Sequence, residues 1–422
     1  MAGLGVFFGP MTASARTETG TARSSAGLAL GFSCVGHAYA HIFTMLYLTV
    51  VLVLEREWGM GYAELIRLST IGALLFGAAA LPMGWLGDRW SAVGMMVVFF
   101  IGTGAASIAT GFARDPVEMT LGLAAIGLAA SIYHPVGIAW LVRNAAQRGR
   151  ALGFNGFFGG LGVALASAIA GVLTDLISWR AAFVIPGIVC IATGLALWGC
   201  WRAGLVVDLR GDRVEEKPAS RGDMMRAFFV LSLTMLLAGL IATAMSTVMP
   251  KLFAERLSDY VSGTSSVGML VMALYLVTGT TQLLGGHMAD RFSAKTVYVL
   301  MFALQAPVLL LAAVAAGPAI VPLMALAAGF NTMAIPSESA LLARFSPSKH
   351  RSLAFGAKFV IALGIGPVAI MLVAWVEQAT GSFFLLFMLL GAFAGGLALA
   401  ALLLPSDRAA EVKPAPVAVP AE

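Results

Sequence analysis

Long apolar runs limit what this chain can fold into more than any other feature. Twelve of them lie near residues 27–54, 61–86, 92–112, 117–142, 150–174, 180–202, 225–252, 262–288, 294–316, 318–344, 351–376 and 382–404. A hydrocarbon core about 30 Å thick is crossed by about 20 apolar residues in a helix. Backbone placed in lipid must satisfy its own hydrogen bonds, so only helices and closed barrels span it. Barrel strands would alternate polar and apolar over about ten residues, and these runs do not. Charged residues make up only 11% of the 422-residue chain, against about 25% in a soluble protein. The expected fold class is therefore an all-α integral membrane protein with 12 transmembrane helices.

A short phrase is written twice. GWLGDRWSA fills 84–92 and GGHMADRFSA fills 285–294, so that Gly84 aligns with Gly286 and Asp88 with Asp290 at an offset of 202 residues. A second pair, RNAAQRGRALGF (143–154) and RFSPSKHRSLAF (344–355), matches at an offset of 201. Pro135 falls on Pro336 in the same frame. The parity of the runs makes the two halves parallel repeats, the construction of a two-bundle carrier. The expected organisation is a disordered arm over 1–26, a six-helix bundle over 27–202, a polar linker over 203–224, a second bundle over 225–404 and a tail over 405–422. The apolar opening GLGVFF is too short for a signal peptide and has no basic residue before it.

Charge sets the expected orientation. With the N-terminus inside, nineteen Lys and Arg fall on the inner side and six on the outer side, leaving Lys358 within a span. That is a strong positive-inside bias, and it places both termini in the cytoplasm. Cys34, Cys190 and Cys200 have neither metal-ligand nor disulfide spacing and read as small core residues. No G-x-x-x-x-G-K-[ST] occurs, so no nucleotide is expected as partner or energy source. No nucleophile–base set sits in a dry pocket. An enzyme, a resident cofactor and nucleic-acid binding are all unexpected.

The duplicated loops resemble the signature of the major facilitator superfamily, roughly G-x-L-x-D-R-x-G-R-R. Here it stands as Gly84, Leu86, Asp88 and Arg89, followed by Ser91-Ala92-Val93. The second copy keeps Gly286, Asp290 and Arg291. Two further phrases, GHAYAHIFTMLY (36–47) and ASIYHPVG (130–137), are similar to the fosmidomycin-resistance branch of drug exporters. A narrower resemblance, carried by GHAYAHIFTMLYLTVVLVLEREW, is to facilitator carriers of bacterial magnetosome membranes. The resemblance implies two bundles rocking about a cavity lined by spans 1, 4, 7 and 10.

Within that frame, His37 and His41 share one face of span 1, and Tyr133 and His134 lie in span 4 beside Pro135. Glu338 is a mid-span carboxylate, seven residues after Asn331 on the same face, and Lys358 is a mid-span ammonium in the next span. Ionisable groups at that depth cost at least about 2.5 kcal/mol and face a cavity or a partner. These seven residues are the expected substrate and proton site. On that face His37 and His41 lack the usual carboxylate or thiolate partner, so no metal site is expected. Asp88, Arg89, Arg150, Asp290, Arg291 and Arg351 are the expected cytoplasmic gate. By pseudo-symmetry Asp88 faces Arg351 and Asp290 faces Arg150.

The expected function is alternating-access secondary transport of a small solute, driven by protons. Export of a small polar or anionic drug-like compound leads. Uptake of iron, another metal ion or its chelate is the alternative, and a non-transporting membrane scaffold a further one. The expected site of action is the bacterial cytoplasmic membrane or a membrane derived from it, such as the magnetosome membrane. The expected partners are lipid and a small-molecule or ion substrate, with the chain a monomer.

Overall fold

The computed structural model describes the backbone of residues 13–145, 148–206, 220–346 and 351–406. It describes their side chains except at 13–24, 148–150, 351–356 and 359. Among the described residues every regular element is a helix. Eleven helices are long and apolar enough to cross a membrane, and a bent pair makes a twelfth span. The protein is a multi-pass membrane protein.

The first half holds α1 (Ala13–Met45 and Tyr47–Trp58), α2 (Tyr62–Arg67, Thr70–Ala78 and Ala80–Arg89), α3 (Ala92–Gly111), α4 (Pro116–Ala130, Tyr133–Gly137 and Ile138–Asn144), α5 (Arg148–Leu176) and α6 (Trp179–Arg202). The second half holds α7 (Arg221–Arg256), α8 (Gly263–Arg291), α9 (Ala294–Val314), α10 (Ile320–Phe345), α11 (Arg351–Gly364 and Gly366–Thr380) and α12 (Phe384–Ala401). By parity the ends of α2, α4, α6, α8, α10 and α12 lie on one rim, the terminal rim. The turns after α1, α3, α5, α7, α9 and α11 lie on the other, the distal rim.

Three differences from the sequence expectation have plain causes. Helical backbone begins at Ala13, inside the arm expected to be disordered. Extending a helix that is already packed needs no new nucleus. Residues 1–12 lie outside the described residues. The second span is bent by 40° about Ala79. Pro82 there lacks an N–H and crowds the carbonyl of Ala78, one turn back. The fourth span is interrupted by one wide turn, Tyr133–Gly137, of π type. Pro135 at its centre offers no donor to the helical ladder, and widening the turn relieves its clash.

Close helix contacts rest on small residues, as lipid-embedded interfaces require. A Cβ at Gly171 of α5 would lie 2.5 Å from the Thr264 carbonyl oxygen of α8, and one at Gly77 of α2 would lie 2.6 Å from Gly364 Cα of α11. Both contacts join the two halves. Gly162 instead packs on Ala38 of α1 within its own half, and Gly153 has nothing within 4 Å of its missing Cβ. Close glycine contacts thus serve two purposes: Gly364 lies at a seam between the halves, whereas Gly162 seals a bundle.

Two distal arginines are absorbed as helix caps. Arg180 donates from Nη1 to the carbonyls of Gly111 (3.0 Å) and Ala113 (2.7 Å) at the end of α3. Arg256 donates from Nη1 to Ala312 (2.6 Å) and Ala315 (2.7 Å) at the end of α9, the matching helix of the other half. The last carbonyls of a helix lack internal donors and carry the negative end of its dipole.

Candidate functional site

Polar side chains gather in two buried clusters, one in each half. In the first, His37 and His41 stand one turn apart on α1 and His134 enters from the wide turn of α4. Their ring centroids are 5.1 Å apart for His37–His41, 5.4 Å for His37–His134 and 5.5 Å for His41–His134. His134 is 4% exposed. Tyr133 stacks on His37 at 5.0 Å and 23°, and Phe76 of α2 meets His134 edge-on at 5.6 Å.

This cluster is held by a residue the sequence reading passed over, Asn155 of α5. His37 Nδ1 lies 2.9 Å from the Asn155 carbonyl oxygen. A carbonyl only accepts, so that nitrogen carries the proton and Nε2 keeps its lone pair. The Asn155 side chain donates to the Tyr133 hydroxyl at 2.8 Å, and that hydroxyl donates to the Ser33 carbonyl at 2.8 Å. Gly159 makes the room, since a Cβ there would sit 2.5 Å from His37 Cε1. A lone Asn inside the apolar phrase GFNGFF was the available signal. The Nδ1 atom of His41 is buried and has no hydrogen-bond partner.

In the second cluster, Lys358 Nζ of α11 lies 2.9 Å from Glu338 Oε1 of α10. The Tyr298 hydroxyl of α9 donates to Glu338 Oε2 at 3.0 Å, and Lys358 donates to Ser339 Oγ at 2.9 Å. Glu338 is 7% and Lys358 8% exposed. Each charge is thus paired and also hydrogen-bonded, the condition under which a buried ion pair is tolerated. Asn331 lies two turns before Glu338, and its Nδ2 is buried without a partner. Tyr298 was not singled out from sequence, because a Tyr in an apolar span reads as packing.

The expected gate residues lie on the terminal rim. Asp88, Arg89, Asp290 and Arg291 are exposed at the ends of α2 and α8. Asp88 Oδ1 is 3.7 Å from Arg143 Nη1 of its own half, and Arg89 lies over the Trp85 ring at 4.4 Å. The Arg150 and Arg351 side chains lie outside the described residues.

Among the described residues, cross-half polar contacts cluster on the distal rim. Lys251 Nζ lies 2.8 Å from both Glu55 carboxylate oxygens and 3.5 Å from Glu255. The Tyr62 hydroxyl donates to the Thr247 carbonyl at 2.9 Å. Asp175 at the end of α5 accepts from the backbone N–H groups of Ser265 (2.6 Å) and Thr264 (3.3 Å), at the start of α8. Arg67 donates to Gln378. The phrases repeated at offsets of 201 and 202 include none of these residues, so they did not point to this latch.

The model of the Major Facilitator Superfamily matches residues 32–263 and 227–420. The chain is 30% identical over 149 residues to the puromycin resistance protein of Streptomyces alboniger. It is 24% identical over 166 residues to a probable sulfoacetate transporter of Cupriavidus necator. These stretches cover 35% and 38% of this chain and only 29% and 38% of those relatives. Among solved structures, a bacterial homologue of the human lysosomal transporter Spinster, inward-facing and unoccupied, aligns with TM-score 0.67 at 15% identity, covering 90% of this chain and 95% of the other. Its occupied form aligns with TM-score 0.70 at 14% identity, covering 90% and 94%. The family that the matching model describes is one of membrane transporters of small molecules. The two-half helical fold and the family match along nearly its whole length make this chain a member of the Major Facilitator Superfamily.

Proposed function

We propose that the chain is a proton-coupled carrier that exports a small polar or anionic organic compound across the bacterial cytoplasmic membrane, with both termini inside. The buried Glu338–Lys358 pair carries this reading. Protonating Glu338 would remove the charge that holds Lys358 and leave a buried ammonium in need of an anion. A carboxylate, sulfonate or phosphonate on the cargo meets that need, and Asn331 adds an unpaired donor two turns along the same helix. Proton and anion thus compete for one pair, the minimal requirement for coupling their movements.

The relatives named for puromycin resistance and sulfoacetate transport lend support from both sides, one drug-directed and one anion-directed. The histidine phrases of α1 and α4 support a place near the fosmidomycin-resistance branch. In alternating access the distal latch closes one face. The terminal-rim set of Asp88, Asp290, Arg150 and Arg351 would close the other when the distal latch breaks.

The test is flux in proteoliposomes under an imposed pH gradient, with puromycin, sulfoacetate and a phosphonate antibiotic as candidate cargoes. Gradient-driven movement of one of them, lost in Glu338→Gln, is expected. Flux that ignores the gradient, or full coupling in Glu338→Gln, would refute the reading.

A further inference from the structure

Three imidazoles from two helices meet in the first half, and one nitrogen from each lies within 4.8 Å of the others. We propose that His37, His41 and His134 form a binding site for one divalent transition-metal ion, with a fourth coordination position left to water or an exogenous anion. This inference stands on the first half alone and does not rest on the export reading, which concerns Glu338 and Lys358.

The geometry is close to what such an ion needs. At a metal–nitrogen distance of about 2.0–2.1 Å, tetrahedral ligand nitrogens stand about 3.4 Å apart. Drawing the three rings in from 4.8 Å takes side-chain movements of about 1 Å. Metal-binding histidines typically donate their other ring N–H to a carbonyl or carboxylate, which fixes the tautomer and aims the free nitrogen. His37 already does this with the Asn155 carbonyl at 2.9 Å, and Asn155 is braced through the Tyr133 hydroxyl. Gly159 keeps the space beside His37 clear. His41 Nδ1 is buried with no partner, and an unpaired polar atom inside a bundle carries a penalty that a bound cation would remove.

The ligand set also selects the ion. Neutral imidazoles suit zinc, copper, iron and nickel, whereas magnesium and calcium require oxygen. The group contains neither carboxylate nor thiolate. The nearby Cys34 thiol lies 4.0 Å from Asn155 Nδ2 and outside the group. A dication held by three neutral ligands retains its full charge at a poorly solvated place, so an anion in the fourth position is the expected complement.

Full-length protein, purified in detergent with no polyhistidine tag, would be titrated with Co2+ as a spectroscopic probe. The expected result is one Co2+ per chain with the visible absorption of a tetrahedral site, displaced by Zn2+ and untouched by Mg2+. His41→Gln and His134→Gln should each weaken binding by roughly tenfold or more. His287→Gln, at an exposed position on α8, should bind as the parent does. X-ray absorption on the parent protein should count three imidazole nitrogens, a readout that stands even where a variant fails to fold. Absence of a visible band in folded parent protein would overturn the proposal. So would affinity equal to the parent's in both histidine variants, which would leave the three rings as ring packing alone.

Discussion

Lys251 of α7 and Glu55 of α1 form a two-oxygen ion pair at 2.8 Å that ties the first helix of one half to the first helix of the other. Their side chains keep 17% and 21% of their exposure, and Glu255 adds a second carboxylate at 3.5 Å. The pair is largely shielded, so salt screens it less than an open surface bridge, which is worth about 0–1 kcal/mol. Lys251→Met should shift the protein toward a state open at the distal rim. Spin labels at the exposed positions Arg56 and Asp259 should report a longer distance population. An unchanged distance distribution would remove Lys251 from the latch.

The two rims should open in turn. A cysteine pair replacing Asp88 and Arg351 should cross-link poorly in the parent background and more readily once Lys251→Met is added. Cross-linking that ignores Lys251 would sever the coupling between rims and leave Asp88 to its weak contact with Arg143, 3.7 Å away.

The Glu338–Lys358 pair should show strong non-additivity. Glu338→Gln alone leaves a buried ammonium and should destabilise by about 3–5 kcal/mol. The double variant Glu338→Gln/Lys358→Met should recover most of that loss, because no charge stays unpaired. Thermal unfolding of the four proteins in detergent completes the cycle. Additive losses would mean that the two groups act independently.

Packing between the halves should be sensitive at Gly268 and indifferent at Gly153. An added Cβ at Gly268 meets the Ser167 carbonyl of α5, whereas at Gly153 it meets nothing within 4 Å. Gly268→Ala should therefore cost about 1–3 kcal/mol through forced separation of α5 and α8. Gly153→Ala should be neutral or slightly stabilising through helix propensity. Equal melting temperatures for the two variants would contradict the close approach.

The Tyr133 hydroxyl joins α1, α4 and α5. Tyr133→Phe leaves the Asn155 side chain without its 2.8 Å acceptor and the Ser33 carbonyl without its side-chain donor. Loss of a buried partner of this kind costs about 1–3 kcal/mol. The change should appear as a lower melting temperature, reversed only by restoring the hydroxyl.

Linear order alone determined the membrane-spanning helices, the two-half construction and the identity of the mid-span ionisable residues. Those properties are one-dimensional: apolar length sets a span, a repeated phrase sets a symmetry, and a charge inside an apolar run is visible wherever it points. Sequence also showed that Glu338 and Lys358 sit on neighbouring spans, which is why their pairing was foreseeable. Tertiary structure alone decided which side chains from distant spans share a site. His134 joins His37 and His41 because Pro135 widens one turn of α4 and resets the faces of that helix, and spacing does not encode such a turn. Asn155 and the Glu55–Lys251 latch come from helices far apart in sequence, at positions outside the repeated phrases. Contacts of that kind depend on how two rigid bundles tilt against each other, and that tilt is a property of packed surfaces, absent from the order of residues along the chain.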